Sequence, residues 1–233
     1  PAELPTKANI YALKSLGVER IISVSAVGSL KEEIAPLDIV VPDQLIDATK
    51  GRASTFFTDG IVGHVAFAEP FCPVLSQLSL EASTKAGARV HQGGTYLVIE
   101  GPQFSTRAES QLYCSWGVDV VGMTASPEAK LAREAEMCYA TLAMVTDYDC
   151  WHPGHESVTA EMILTNLRKG VDTVKRVLKL LLPSIPERRD CACASALKHA
   201  VVTDAKYVSE NKKKELELLI GRYLGRRQDA KQT

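Results

Sequence analysis

Two aspartates that flank a single tyrosine, Asp147-Tyr148-Asp149, follow the apolar run CYATLAMVT at residues 138–146. Such a near-continuous apolar run predicts a strand that is buried on both faces. Because side chains alternate along a strand, the two carboxylates would point to the same side. A carboxyl group whose pKa is raised by burial can act as a general acid, so the pair predicts proton transfer to a ligand or recognition of it. The alternative is a surface turn that carries two solvated acids.

Three other predicted strands also end in small or polar residues. The run ERIISVSAVGS leads into Ser25, Ala26, Gly28 and Ser29, GTYLVIEGPQFS leads into Glu100, Gly101, Phe104 and Ser105, and DVVGMT ends in Met123 and Thr124. In an open parallel sheet, ligands bind beyond the carboxyl ends of the strands. The sequence therefore predicts a ligand site where these strand ends meet the two aspartates.

The end of DVVGMT leads directly into a predicted helix start, Ser126-Pro127-Glu128. This segment has a capping hydroxyl, a proline at the first helical position and an acid in the first turn. Thr124 would lie beside free N–H groups at the positive end of the helix, which favours an anion site. The alternative is plain helix capping by Ser126. Backbone N–H groups after Ser25 would add donors, but no lysine or arginine in these motifs obviously supplies positive charge.

The rest of the chain alternates between strand and helix patterns. Helices are predicted at residues 7–17, 73–86, 106–116 and 157–185, strands at residues 21–26 and 37–47, and a surface loop at residues 49–63. Thr106 and Glu109 form a capping-box pattern, and Pro183 and Pro186 are expected to end the long amphipathic helix. The alternation predicts an α/β fold, a three-layer sandwich around a mixed, largely parallel sheet.

Composition narrows the class of protein. The chain has 233 residues, of which 45% are hydrophobic and 24% charged, with a formal net charge of −1, which is typical of one soluble globular domain. This charge gives no electrostatic reason to expect binding to nucleic acid or a membrane. No apolar run approaches the roughly 20 residues that span a bilayer, and no signal peptide is visible, so we expect a cytoplasmic protein. The six cysteines do not form the pattern of a disulfide framework.

Several long motifs at consistent spacing resemble the 5′-methylthioadenosine phosphorylase branch of the trimeric purine nucleoside phosphorylase family. They are ISVSAVGSLKEE, VVPDQLID, AEPFCP, IEGPQFSTRAES, VVGMT, PEAKLAREAEMCYA and AMVTDYDCW. The resemblance implies a nucleoside phosphorylase-like α/β fold and a cytoplasmic homotrimer that takes part in methionine and purine salvage. It also implies phosphorolysis of methylthioadenosine to adenine and 5-methylthioribose-1-phosphate. Inorganic phosphate would be the co-substrate, and no cofactor or metal is expected.

The resemblance also assigns roles to individual positions. Ser25, Ala26 and Thr124 match phosphate-binding residues, Met123 matches the residue at the ribose, and Phe104 and Ser105 match the loop that faces the base. Asp147, Tyr148 and Asp149 match the adenine-recognition segment, in which the aspartates would be catalytic, and Ala160, Ile163 and Leu164 match the helix face at the 5′-methylthio group. His64 matches a residue that reaches the site of a neighbouring subunit.

The chain departs from this family in several places. The family begins earlier, with a Gly-rich phosphate loop and an Arg-His pair, whereas this sequence starts at Pro1 and soon enters a predicted helix. Gln103 stands where many relatives have arginine, and Ala125-Ser126 replaces bulkier residues. We therefore expect an N-terminally incomplete phosphorylase domain at residues 1–186, either a fragment or a shortened copy. Residues 187–233 would form a polar, basic tail.

Further alternatives concern substrate and metal. A carboxylate that accepts from the exocyclic amine of adenine would meet a carbonyl in a 6-oxopurine, so the aspartate pair favours 6-aminopurines. The alternative hypotheses are a phosphorylase of 6-oxopurine nucleosides and a truncated, non-catalytic nucleoside-binding remnant.

His152 and His155 have no third metal ligand at a suitable spacing, which favours a solvated loop. Cys191 and Cys193 are expected to be reduced thiols in a mobile tail, because a disulfide between them would be strained.

Overall fold

The computed structural model describes residues 1–152 and 159–224. The strands are β1 (Arg20–Ser29), β2 (Ile39–Val41), β3 (Gln44–Asp47), β4 (Val90–Gln92), β5 (Thr95–Val98), β6 (Val120–Gly122) and β7 (Cys138–Tyr148). The helices are α1 (Thr6–Ser15), α2 (Pro73–Lys85), α3 (Arg107–Ser115), α4 (Ala125–Glu134), α5 (Ala160–Ser184), α6 (Glu210–Glu215) and α7 (Glu217–Leu224). Across these two ranges, no helix has the length and apolar character needed to cross a membrane.

The strands form one seven-stranded sheet in the order β3-β5-β6-β1-β7-β2-β4. The pairs β3–β5, β5–β6, β1–β7 and β2–β4 are parallel, whereas β1–β6 and β2–β7 are antiparallel. The sheet is therefore mixed and largely parallel, as the alternation of elements predicts. Its centre is the long parallel pair of β1 and β7.

Strand β7 is buried on both faces, which explains its near-continuous apolar sequence. Tyr139 packs into a cluster with α1 and α4 on one face, and Leu142 and Met144 pack against α2 and α5 on the other. Each fully buried side chain of this size contributes about 1.5–3 kcal/mol. The helices thus cover both faces of the sheet around β7, and this strand holds the two aspartates at its carboxyl end.

Several predicted elements are confirmed. The predicted capping box is present, with Thr106 and Glu109 satisfying each other's backbone N–H groups at the start of α3.

Two other elements differ from the prediction. The predicted strand at residues 37–47 is instead two strands, because Pro42 lacks the N–H that a continuous ladder requires. Helix α5 continues through Pro183 and ends at Ser184. It stops there because Ile185, which precedes Pro186, is extended.

Residues 49–63 form a loop, as predicted, but the loop is anchored in the core and does not lie wholly on the surface. Phe56, Phe57 and Ile61 are all less than 10% exposed and belong to the largest core cluster. The buried carboxylate of Glu134 accepts hydrogen bonds from the backbone N–H of Phe56 (2.6 Å) and the hydroxyl of Thr55 (2.7 Å). These contacts hold the segment against α4.

The described part of the segment after residue 186 is folded onto the same core and is not a mobile tail. Leu216, Leu219 and Ile220 are buried in the cluster that also contains α1 and α4. The buried Glu136 carboxylate accepts hydrogen bonds from the backbone N–H of Leu197 (2.9 Å) and the hydroxyl of Tyr223 (2.6 Å). The apolar spacing at positions 216, 219 and 220 is a helical signal for this burial.

Candidate functional site

A cavity of about 470 Å³ is lined by β1, β6 and β7, the loop after β5 and the first turns of α5. Because β6 runs antiparallel to β1, the cavity does not lie at one common edge of parallel strands. It lies where β1 bends at a bulge between Val27 and Gly28 and passes the ends of β6 and β7. A volume of this size suits a small organic ligand.

The cavity brings together most of the residues that the sequence predicts to be functional. They are Ser25, Ala26, Phe104, Ser105, Met123, Thr124, Asp147, Asp149, Ala160, Ile163 and Leu164. Among its other lining residues are Val24, Gly28, Ile99 and Thr146, which the predicted site residues did not include. Proximity in one cavity supports the predicted roles, which remain predictions for each residue.

Two predicted site residues do not line this cavity. Strand alternation turns Tyr148 away from the two aspartates, so its hydroxyl donates to the carbonyl oxygen of Glu32 (3.1 Å) and its ring stacks on His152. His64 lies in an exposed loop, where its backbone N–H donates to the carbonyl oxygen of Ala200 (2.8 Å). Because His64 was expected to act in a neighbouring subunit, its role stays a prediction. His155 lies outside the described residues.

Asp147 is a buried carboxyl group in position to exchange a proton with a ligand. It is only 4% exposed, and burial raises its pKa to about 6, with a smaller contribution from the charge of Asp149 and an opposing one from a Thr146 hydrogen bond. The Thr146 hydroxyl donates to Asp147 Oδ2 at 2.7 Å. A Cβ atom on Gly28 would lie 3.0 Å from Asp147 Oδ1, so the absence of a side chain there gives this carboxyl group its space.

Asp149 lies beside several buried polar atoms that lack partners. Its Oδ2 atom and the hydroxyls of Ser105 and Ser110 are buried without a hydrogen bond of normal geometry in the part of the chain described. Burial raises the pKa of Asp149, although these two hydroxyls and the Cys150 N–H lie near enough to offset part of that effect. Unsatisfied buried polar atoms are costly, at about 1–3 kcal/mol each. Asp149 and Ser105 line the cavity, so a polar ligand edge there would satisfy the unpaired atoms of these two residues.

Hydroxyl groups within β1 and just after β6 are suited to an anion. Ser25 is buried, with its hydroxyl 3.4 Å from that of Thr141, and Thr124 precedes α4 without capping the helix through its side chain. Between these positions lies the hydroxyl of Tyr96, which is buried without a partner in the described chain. Ser126 has the extended backbone of an N-cap residue, and the regular part of α4 begins at Pro127 as predicted, but the Ser126 hydroxyl donates to Asp47 at 2.6 Å and does not cap the helix. No lysine or arginine in the described ranges lines the cavity.

The start of α5 gives the cavity an apolar wall. Ile163 and Leu164 lie one helical turn after Ala160 on the same face of α5, and all three line the cavity. Further along the same apolar face, Val174 and Val177 are instead buried against the sheet. Leu164 is 51% exposed, so this part of the helix face is not core. The amide of Asn166 donates to the carbonyl oxygen of Thr146 at 2.7 Å, which fixes the wall relative to the aspartates.

Comparison with known proteins identifies the family. Residues 2–183 match the family model described as the phosphorylase superfamily. The chain belongs to the phosphorylase superfamily. It is 54% identical over 225 residues to S-methyl-5′-thioadenosine phosphorylase of Koribacter versatilis, covering 97% of this chain and 77% of the relative. Identity to the protein of the same name from Geobacter sulfurreducens is 52%, covering 96% of this chain and 79% of the relative.

Solved structures place this superfamily member in the same branch. A methylthioadenosine phosphorylase from an antarctic soil metagenomic library superposes with a TM-score of 0.89 at 50% identity, covering 94% of this chain and 78% of that one. A methylthioadenosine phosphorylase from Schistosoma mansoni, solved in complex with adenine, gives 0.77 at 36% identity, covering 81% and 73%. The resemblance stated from the sequence motifs, and the nucleoside phosphorylase-like fold it implies, are confirmed.

Sequence reasoning missed one buried arginine that organises the site of this superfamily member. The Arg52 side chain is 4% exposed, and its guanidinium donates to the carbonyl oxygens of Met123, Ser126, Ile99 and Glu100 and to the Glu100 carboxylate. These bonds use all five of its N–H groups, so none remains for a phosphate. Arg52 therefore ties the loop after β5 to the end of β6 and the start of α4. No local sequence pattern marks such backbone contacts.

Proposed function

We propose that this protein catalyses the phosphorolysis of 5′-methylthioadenosine to adenine and 5-methylthioribose-1-phosphate. The observation that carries the proposal is the pairing, within one cavity, of two buried aspartates with an apolar helix face. The aspartates suit the hydrogen-bonding edge of a purine, and the helix face suits a methylthio group. The names and bound adenine of the similar structures support the same substrate.

Asp147 would act as the general acid. Cleavage of the glycosidic bond leaves electron density on the purine, and a proton delivered to N7 makes the base a better leaving group. A pKa of about 6 leaves roughly a tenth of the Asp147 side chains protonated at pH 7. The carboxyl group can therefore give up its proton without a large energetic cost.

Asp149 would select for a 6-aminopurine. Its unpartnered Oδ2 atom can accept a hydrogen bond from the exocyclic amine of adenine. A 6-oxopurine would instead direct a carbonyl oxygen at this acceptor, a mismatch that desolvates both groups without a bond. We therefore expect methylthioadenosine to react in preference to inosine.

Inorganic phosphate would be the co-substrate, and the reaction as written needs no organic cofactor. Ser25, Ala26 and Thr124 line the same cavity, and their hydroxyl and backbone N–H groups would donate hydrogen bonds to phosphate. The free N–H groups at the start of α4 would add donors. The chain spans 77% of the Koribacter relative and 79% of the Geobacter relative.

We also propose a cytoplasmic homotrimer that acts in methionine and purine salvage, in which each site receives His64 from its neighbour. The exposed position of His64, beside the partly buried Val65 and Phe67, is compatible with an interface. A stable, active monomer in light scattering at micromolar concentration would contradict this arrangement. A His64→Ala variant that stays trimeric but loses activity would support it.

The substrate assignment is tested by comparing kcat/KM for methylthioadenosine, adenosine and inosine. One apolar group buried in a matching pocket is worth about 10–200-fold, so methylthioadenosine should exceed adenosine by at least about tenfold. Faster phosphorolysis of inosine would favour a 6-oxopurine phosphorylase. Calorimetry that shows adenine binding unaffected by phosphate, with no turnover, would favour a non-catalytic remnant.

A further inference from the structure

Four cysteines that are far apart in the sequence meet at one point of the fold. Cys72 caps the start of α2, Cys138 begins β7, and Cys191 and Cys193 belong to the short 3₁₀ turn Ala192–Ser195 and its N-cap. Their sulfur atoms all lie within 4.8 Å of one another, and the Sγ atoms of Cys138 and Cys191 are 3.3 Å apart. Cys72, Cys138 and Cys193 are at most 3% exposed.

The number and spacing of these sulfur atoms fit a tetrahedral metal site. Zinc binds thiolates at about 2.3 Å, which places the sulfurs of a tetrahedral set about 3.8 Å apart. Every sulfur of the cluster lies within 4.8 Å of the other three, whereas disulfides would divide them into bonded pairs. We propose that Cys72, Cys138, Cys191 and Cys193 bind one zinc ion. A complete set of protein ligands leaves no open position, so the site is structural.

The surroundings suit the charge of such a complex. Four thiolates and one Zn²⁺ carry a net charge of about −2, which burial penalises unless positive groups lie near. Arg20, Arg188 and Arg189 line a small cavity together with three of the cysteines. Asp190 pairs with Arg188 at 3.5 Å, and Glu19 pairs with Arg20 (3.3 Å) and Arg189 (3.0 Å), so the three arginines face two carboxylates and keep an excess positive charge. The positive end of α2 adds to the favourable potential at Cys72.

The position of the cluster indicates a role in stability rather than in chemistry. Strand β7 is 11 residues long, and at about 3.3 Å per residue its first residue Cys138 lies about 30 Å from Asp147. The ion would join the start of this central strand and α2 to the segment after residue 186. That segment is otherwise held by its apolar contacts and by Glu136.

The proposal is tested by metal analysis of the protein from its complete reading frame, purified with a reductant and without chelators. We expect about one zinc ion per chain, and replacement by Co²⁺ should give the intense visible absorption of a tetrahedral thiolate complex. Cys193→Ser and Cys72→Ser should lose the metal. Cys114→Ser, a thiol outside the cluster, is the matched control and should retain it.

A chelation experiment on the unmodified protein covers the case in which these variants fail to fold. Removal of zinc should lower the Tm by about 5 °C or more, and added zinc should restore it. The proposal is overturned if the reduced, folded protein contains no zinc and gives no thiolate absorption with Co²⁺. It is equally overturned if intact mass shows that the four cysteines of the reductant-treated protein form disulfides.

Discussion

Replacing Asp147 by asparagine is the perturbation that separates catalysis from binding at this site. The amide can still form hydrogen bonds but cannot deliver a proton to the purine. General acid catalysis contributes about 10²–10⁴-fold, or roughly 3–5 kcal/mol of transition-state stabilisation. We expect Asp147→Asn to lower kcat for methylthioadenosine by at least about a hundredfold. KM should change by less than about threefold, because a hydrogen-bonding group of the same shape remains.

The pH dependence gives this prediction a second readout. Because the acid must be protonated and its pKa is raised to about 6, kcat should fall as pH rises above that value. The residual activity of Asp147→Asn should lack this fall. Asp172→Asn is a matched control on the exposed surface of α5, with its side chain 81% exposed, and should behave like the unchanged protein. A loss in kcat of less than about threefold, roughly 0.7 kcal/mol, would exclude Asp147 as the acid.

Three further predictions concern the side chains of Asp147, Arg52 and Ala160. Burial raises the pKa of Asp147 from 3.8 to about 6, so the folded state holds the proton more tightly and loses stability as pH rises through that range. Asp147→Asn should therefore raise the free energy of unfolding by up to about 3 kcal/mol at pH 8 and change it little at pH 4 in thermal denaturation; equal effects at both pH values would contradict this. Arg52→Lys should lower the free energy of unfolding by about 2–4 kcal/mol in denaturant, because buried carbonyl groups lose their donors. The surface control Arg176→Lys should lower it by less than about 1 kcal/mol, and an equally small change for Arg52→Lys would show that Arg52 does not organise the site. Ala160→Asp should fold normally by circular dichroism and lose its preference for methylthioadenosine over adenosine, whereas unfolding would mean that Ala160 belongs to the core.

Much of the fold could be predicted because local signals agreed with one another. The apolar run of β7 identified its double burial, and the capping box at Thr106 located the start of α3. The alternation of side chains also placed Asp147 and Asp149 on the same side. That rule places Tyr148 on the other side, as the structure confirms, whereas the family resemblance alone assigned it to the site.

Other features depend on contacts between distant parts of the chain. Arg52 binds mostly backbone carbonyl groups, which leave no trace in the identity of neighbouring residues. The cysteines converge only because α2, β7 and the 3₁₀ turn meet in space. The burial of the segment after residue 186 was missed because its lysine-rich composition outweighed the short apolar stripe that includes Leu216 and Ile220.

Phosphorolysis of methylthioadenosine is tested most directly by following its products. The protein from its complete reading frame should release adenine, detected by chromatography, only when phosphate is present. Phosphorus NMR should show an equal amount of a sugar 1-phosphate. Adenine release without phosphate, or adenine binding with no sugar phosphate formed at any phosphate concentration, would contradict the account.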